Sequence, residues 1–127
     1  FNIGFPNAFD TAHGRTGSFL MVHGGCSSAG CYAMTDSQID EIYAVVEAAL
    51  ESGQRAVDVS IFPFRMTETA IQSMSGNEWL PFWTNLRQGY ELFEQHGEPP
   101  AVAVLDGRYV FADEAANPAS TPIEGWV

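Results

Sequence analysis

The chain contains no lysine, and its five basic residues, Arg15, Arg55, Arg65, Arg87 and Arg108, are scattered among 16 acidic ones for a formal net charge of -11. No basic stripe exists to displace phosphate counterions, which excludes a nucleic-acid partner. Long hydrophobic runs are also missing. Gly, Pro or charge breaks every apolar stretch well short of 18 residues, so no segment reads as a membrane span. Cysteine is scarce. Cys26 and Cys31 are too few for a disulfide scaffold, and their spacing fits a disulfide, a redox pair, metal ligands or one reactive thiol. The Gly24–Gly30 stretch lacks both the GxGxxG spacing and a Walker lysine, which speaks against nucleotide chemistry. No charged leader with an apolar run and a small-residue cleavage site is present. The chain opens on Phe1 rather than Met, and Phe1-Asn2-Ile3-Gly4-Phe5-Pro6 reads as the interior of a fold, so an incomplete chain is expected.

What is present is enough for one packed domain. A globular chain of 127 residues, 46% of them hydrophobic, hides roughly two-thirds of its unfolded surface. Ser18 to Val22 is a short apolar run between Gly17 and His23-Gly24-Gly25 and predicts a buried strand ending at a histidine. The small residues from Cys26 to Cys31 predict a loop with room for a ligand. Thr35 and Asp36 offer N-cap oxygens to a helix carrying Ile39, Ile42, Tyr43, Val46, Ala49 and Leu50 on the face that lies on a sheet, stopped at Ser52-Gly53.

Val57, Val59 and Ile61 alternate with Asp58 and Ser60 as a second strand, ended by Pro63 and followed by Arg65. A short helix from Thr67 to Met74 and a longer one from an Asn77 cap to Gly97 come next. The longer one has Pro81 near its first turn and a core stripe of Trp79, Trp83, Tyr90 and Phe93, for which an aromatic sugar platform is the alternative. Asp106-Gly107 between Ala101–Leu105 and Arg108–Ala112 predicts a type I′ hairpin. The expectation is an α+β fold with a mixed sheet and packed helices: one domain over residues 1–112, and a tail over 113–127.

Chemistry concentrates between His23 and Cys31. A thiol at its ordinary pKa is mostly protonated at neutral pH, and an imidazole that takes its proton makes it a far better nucleophile. Gly30 permits converging amides beside Cys31, an oxyanion site for a carbonyl under attack. Ser28 reads as a brace for the loop through backbone hydrogen bonds. His23, Cys26 and Cys31 also make a three-ligand zinc set, although no fourth ligand stands at standard zinc spacing.

The segment Met21-Val22-His23-Gly24-Gly25-Cys26-Ser27-Ser28-Ala29-Gly30-Cys31-Tyr32-Ala33-Met34-Thr35-Asp36 resembles the catalytic signature of YkuD-type L,D-transpeptidases, with their YafK-like branch nearest. The resembling motif is His23-Gly24, a variable loop, then Ser28-Ala29-Gly30-Cys31. Similarity continues in Ile3–Ala8, His13-Gly14, Ile61–Thr67 and Pro99-Pro100 to Val110. The resemblance implies that Cys31 is the acylated nucleophile, that His23 is its general base, and that the Gly24 carbonyl holds the imidazole tautomer. It implies no cofactor. The implied substrates are peptidoglycan stem peptides, attacked at meso-diaminopimelate, and the implied place of work is the periplasm. In the YafK-like branch, water cuts the link from diaminopimelate to the lysine of an outer-membrane lipoprotein.

Many members have a histidine before Gly-Cys and an Arg or Asn two residues after the cysteine, where this chain has Ala29 and Ala33. Arg65 is the candidate to supply the missing positive charge for a substrate carboxylate. Tyr32 and His13 are further candidates for the cleft, while His96 reads as structural. The family domain also has strands upstream of Phe1, so this chain is expected to be the C-terminal part of the domain. A non-catalytic peptidoglycan- or lipoprotein-binding module is the rival reading.

Overall fold

The structure is a computed structural model that describes residues 1–112. The expected tail, 113–127, lies outside the described residues. The described chain divides into two compact units, residues 1–59 and residues 60–112.

In the first unit, residues 1–3 run antiparallel to residues 20–22. Asn2 bridges Met21, Ile3 N–H donates to Leu20 O at 3.1 Å, and Val22 N–H donates to Phe1 O at 2.9 Å. Between these segments lies helix α1 (Ala8–Ala12), an element for which the sequence reading had no expectation. Its start is a reciprocal cap: Asn7 Oδ1 accepts the Asp10 amide at 3.0 Å and the Asp10 carboxylate accepts the Asn7 amide at 3.2 Å. Phe9 and Asp10 are buried by it. Arg15 then donates to Asp10 at 2.7 Å while its guanidinium sits 5.4 Å from the centre of the Phe9 ring.

Of the strand expected over Ser18–Val22, only the end is built. Strand β1 (Val22–His23) pairs in parallel with β2 (Tyr32–Ala33), Val22 opposite Tyr32 and His23 opposite Ala33. The reason is conformational. Gly17 and Phe19 have φ of 121° and 60°, outside the β region, so the chain becomes straight enough to pair only from Leu20 onward. Helix α2 (Asp36–Glu51) follows, with Thr35 as its N-cap: Thr35 Oγ1 accepts the Gln38 amide at 3.3 Å. Ile39, Ile42, Val46, Ala49 and Leu50 form its half-buried stripe, but Tyr43 is 46% exposed, so the face expected to be covered is narrower than the periodicity implied.

The strand expected over Val57–Ile61 is absent. Among the described residues no neighbour offers it a hydrogen-bonding ladder, and Val59 and Ile61 stay exposed. Alternation alone does not make a strand, because the extended backbone needs a partner for its amides and carbonyls.

The second unit packs Phe62 edge-on against Tyr90 and Phe64 edge-on against Trp83, at centroid distances of 5.4 and 5.3 Å. Met66 and Ile71 are its buried apolar side chains. Helix α3 (Glu68–Ser73) is capped by Thr67, whose Oγ1 accepts the Ala70 amide at 3.2 Å. Helix α4 (Leu80–His96) begins later than expected. Asn77 is not its N-cap but closes the preceding turn, accepting the Trp79 amide on Oδ1 at 2.9 Å, and Pro81 occupies the first turn. Gly97 ends the helix in the left-handed region at φ 71°.

The aromatic stripe of α4 is core only in part. Trp83 and Tyr90 pack, whereas Trp79 and Phe93 are exposed, and the residues that α4 buries are Asn85 and Gly89. Both face the hairpin of β3 (Ala101–Leu105) and β4 (Arg108–Ala112), which pair antiparallel with Leu105 opposite Arg108. Asp106 and Gly107, at φ 51° and 70°, make the expected type I′ turn.

Gly89 lets α4 approach: a Cβ there would stand 2.5 Å from the Phe111 ring. Asn85 Nδ2 donates to Tyr109 O and Asn85 Oδ1 accepts the Tyr109 amide, each at 2.9 Å. Arg87 joins the helices, donating to Glu68 of α3 and, at 2.7 Å, to Glu91 of α4.

Candidate active site

The candidate site lies in the first unit, where β1 and β2 hold the two ends of the loop over residues 24–31. Tyr32 N–H donates to Met21 O and Met34 N–H donates to His23 O, each at 2.8 Å. These bonds bring Cys31, the residue before β2, back alongside the strand that ends in His23. Two strand steps and one strand spacing separate the register positions of His23 and Cys31, which is about 8 Å between Cα atoms. No hydrogen bond joins the two side chains.

His23 Nδ1 lies 2.5 Å from the carbonyl oxygen of Gly24. A carbonyl only accepts, so in the neutral ring Nδ1 carries the proton and donates it, and Nε2 keeps its lone pair. Ala33 stands opposite His23 in the register.

Gly24 is tightly enclosed by its surroundings. A Cβ there would stand 3.0 Å from both Asp36 Oδ1 and Ile39 Cγ2, so the His-Gly step is pressed against the start of α2. Asp36 fixes it further, because Oδ1 accepts the Gly25 amide at 3.0 Å. Sequence reasoning gave Asp36 only a capping role, and Thr35 fills that one. The carboxylate on the first helical residue was visible in the sequence; its reach across eleven residues was not.

Ser28 organises the other end of the loop. Its hydroxyl donates to Cys31 O at 2.7 Å and accepts the Gly30 amide at 3.1 Å. Gly30, at φ 142°, is in a conformation open to glycine. Its amide is therefore engaged within the loop, whereas the Cys31 amide has no hydrogen-bond partner among the described residues. The half-buried Cys31 thiol meets the Phe19 carbonyl oxygen, 3.6 Å from Sγ. Phe19 was missed by sequence reasoning, and nothing in its residue type announces a left-handed backbone.

Cys26 and Cys31 are both free thiols, Cys26 exposed and Cys31 half-buried. Among the described residues no group of three or more His, Cys, Asp or Glu side chains is placed to hold a metal, so His23, Cys26 and Cys31 do not gather as the zinc set considered above. Tyr32 is half-buried on β2. His13 is the C-cap residue of α1 and lies against Phe9, the ring centroids 4.3 Å apart and the planes tilted by 38°. Arg65 belongs to the second unit; it is exposed, makes no ion pair among the described residues, and its carbonyl accepts the Thr67 amide at 2.8 Å. His96 is the last residue of α4. No helix among the described residues is long and apolar enough to cross a membrane.

No protein-family model matches the chain. It is 49% identical over 121 residues, 95% of its length, to a protein of Escherichia coli (strain K12) named "Putative L,D-transpeptidase YafK". It is equally similar to the protein of the same name from Escherichia coli O157:H7. The chain spans about half the length of these curated relatives, 49% of each.

Proposed function

Because the chain belongs to the YafK-like family of L,D-transpeptidases, we propose that it carries the nucleophile and base of a cysteine acyl-transfer enzyme acting on peptidoglycan stem peptides in the periplasm. The observation that carries this reading is the 2.5 Å contact from His23 Nδ1 to the Gly24 carbonyl, on a strand paired with the one Cys31 leads into. It leaves Nε2 as the basic nitrogen and turns a histidine of two possible tautomers into one suited to take a thiol proton.

In the first step, His23 Nε2 takes the thiol proton as Cys31 Sγ attacks the carbonyl of a diaminopimelate residue. The Cys31 amide serves as a donor to the oxyanion in this proposal. The carbon–nitrogen bond then breaks, the imidazolium proton goes to the departing amine, and a thioester remains on Cys31. In the second step an acceptor attacks the thioester, His23 takes the acceptor's proton and returns it to the leaving thiolate, and the free thiol is regenerated. A second diaminopimelate amine as acceptor makes a cross-link. Water as acceptor makes a hydrolase, which on the lipoprotein-linked stem would free the lipoprotein lysine. Tyr32 and His13, of the same unit as His23 and Cys31, stand in this proposal as substrate contacts.

The test is mass spectrometry of the protein and its Cys31→Ala form after incubation with a tetrapeptide muropeptide and with a lipoprotein-linked tripeptide muropeptide. An acyl-enzyme on Cys31, with cross-linked dimer from the first substrate or released tripeptide from the second, is the expected result. Binding of either muropeptide with no acyl-enzyme and no product would replace the enzyme with the rival binding module.

A further inference from the structure

Phe19 has three properties that are hard to reconcile with a structural role. Its φ is 60°, a conformation uncommon for a bulky side chain because Cβ crowds the following carbonyl. Its side chain is 72% exposed, so the ring gains little burial to offset that strain. Its carbonyl oxygen lies 3.6 Å from Cys31 Sγ, which places the Cα that bears the ring within about 6 Å of the sulfur. Backbone strain of this kind concentrates at ligand clamps and reactive centres. Glycine would adopt a φ of this size without strain, as Gly14 does at φ 68° five residues earlier. The sequence nevertheless sets a phenyl ring there.

We propose that Phe19 is a substrate-positioning residue, its exposed ring forming an apolar wall beside the Cys31 thiol on which the aliphatic chain of the acyl-donor residue rests. The inference builds on the acyl-transfer reading for the identity of that residue. The ring supplies no charge and no proton. Its contribution is contact area made on binding, so it acts on affinity rather than on the chemical step.

The test compares stem-peptide binding to Cys31→Ala, Cys31→Ala/Phe19→Gly and Cys31→Ala/Phe19→Tyr, together with the kinetics and thermal midpoints of wild type, Phe19→Gly, Phe19→Ala and Phe19→Tyr. The expected result is roughly tenfold weaker binding and roughly tenfold higher KM for the Gly and Ala variants, the size of a lost ring contact. Expected with it are a kcat within about twofold of wild type, recovery by Tyr, and a higher midpoint for Gly than for Ala because Gly relieves the φ strain. Unchanged binding and KM in Phe19→Gly would overturn the proposal. So would a loss of kcat at constant KM, which would make Phe19 a holder of the thiol instead, or a failure of Cys31→Ala to bind the stem at all. Absence of wild-type turnover alone would sink the acyl-transfer reading, and the binding comparison would still decide the role of the ring.

Discussion

Asp36 Oδ1, on the first residue of α2, accepts the amide of Gly25 at 3.0 Å, so the helix start holds the turn that orients His23. The carboxylate also sits favourably at the positive end of the helix dipole. Asp36→Ala is expected to lower stability by about 1 kcal/mol and to lower kcat with little change in KM, because the imidazole loses its fixed tautomer rather than its substrate. Gly24→Ala is expected to cost about 1–3 kcal/mol, since its Cβ meets Asp36 and Ile39. Denaturant unfolding and steady-state kinetics on the two variants check both expectations.

His23→Gln keeps a hydrogen-bonding side chain but no titratable nitrogen. Turnover is expected to fall by about 100- to 10,000-fold, the range of a lost general base, with binding of the stem peptide retained. Single-turnover measurements should show slowed acylation. Wild-type acylation in this variant would remove His23 from the mechanism.

In the second unit, Asn85→Leu would remove the carboxamide that bonds both the amide and the carbonyl of Tyr109. A loss of roughly 1–3 kcal/mol is expected for the two lost hydrogen bonds. Gly89→Ala should be comparably harmful, because its Cβ collides with the Phe111 ring at 2.5 Å. Pairing Gly89→Ala with Phe111→Leu should recover part of that loss, and a double-mutant cycle measures the coupling.

Arg87 donates to Glu68 and holds its carboxyl below the ordinary glutamate range, with the Gln72 amide adding to the effect. A lowered folded value means the stabilisation is present above the unfolded glutamate pKa and is lost as pH falls through the folded one. Denaturant midpoints should therefore decline as pH drops below the ordinary glutamate range. Glu68→Gln should flatten that part of the profile, and an unchanged slope would assign it to other carboxylates.

Much of the second unit was legible in the sequence because its signals are local. Gly97 as a stop and Asp106-Gly107 as a turn each act within a few residues of themselves, and the short helix expected from Thr67 to Met74 forms with those two residues as its caps. The expected helix over Asn77–Gly97 was late at its start because Asn77 serves a turn instead. What was not legible depends on distant partners. Val57–Ile61 has the alternation of a strand and finds no ladder among the described residues, and Asn85 and Gly89 gain their meaning from Tyr109 and Phe111. At the site, His23, Cys31 and the brace at Ser28 could be nominated from residue chemistry. The Asp36 contact with Gly25 and the left-handed turn at Phe19 depend on how the loop returns to β1.

The pairing of Asn85 with Tyr109 has a consequence for the company this chain keeps. Tyr109 stands opposite Val104 next to the Leu105–Arg108 pair that closes the turn, so its amide and carbonyl point away from β3, to the outer side of β4. Those are the groups on which a strand from another molecule would dock. A single carboxamide occupies both of them, as one residue of a neighbouring strand would. The carboxamide thus stands where a residue of a neighbouring strand would pair on that edge, and Asn85→Leu is expected to lower solubility at high concentration.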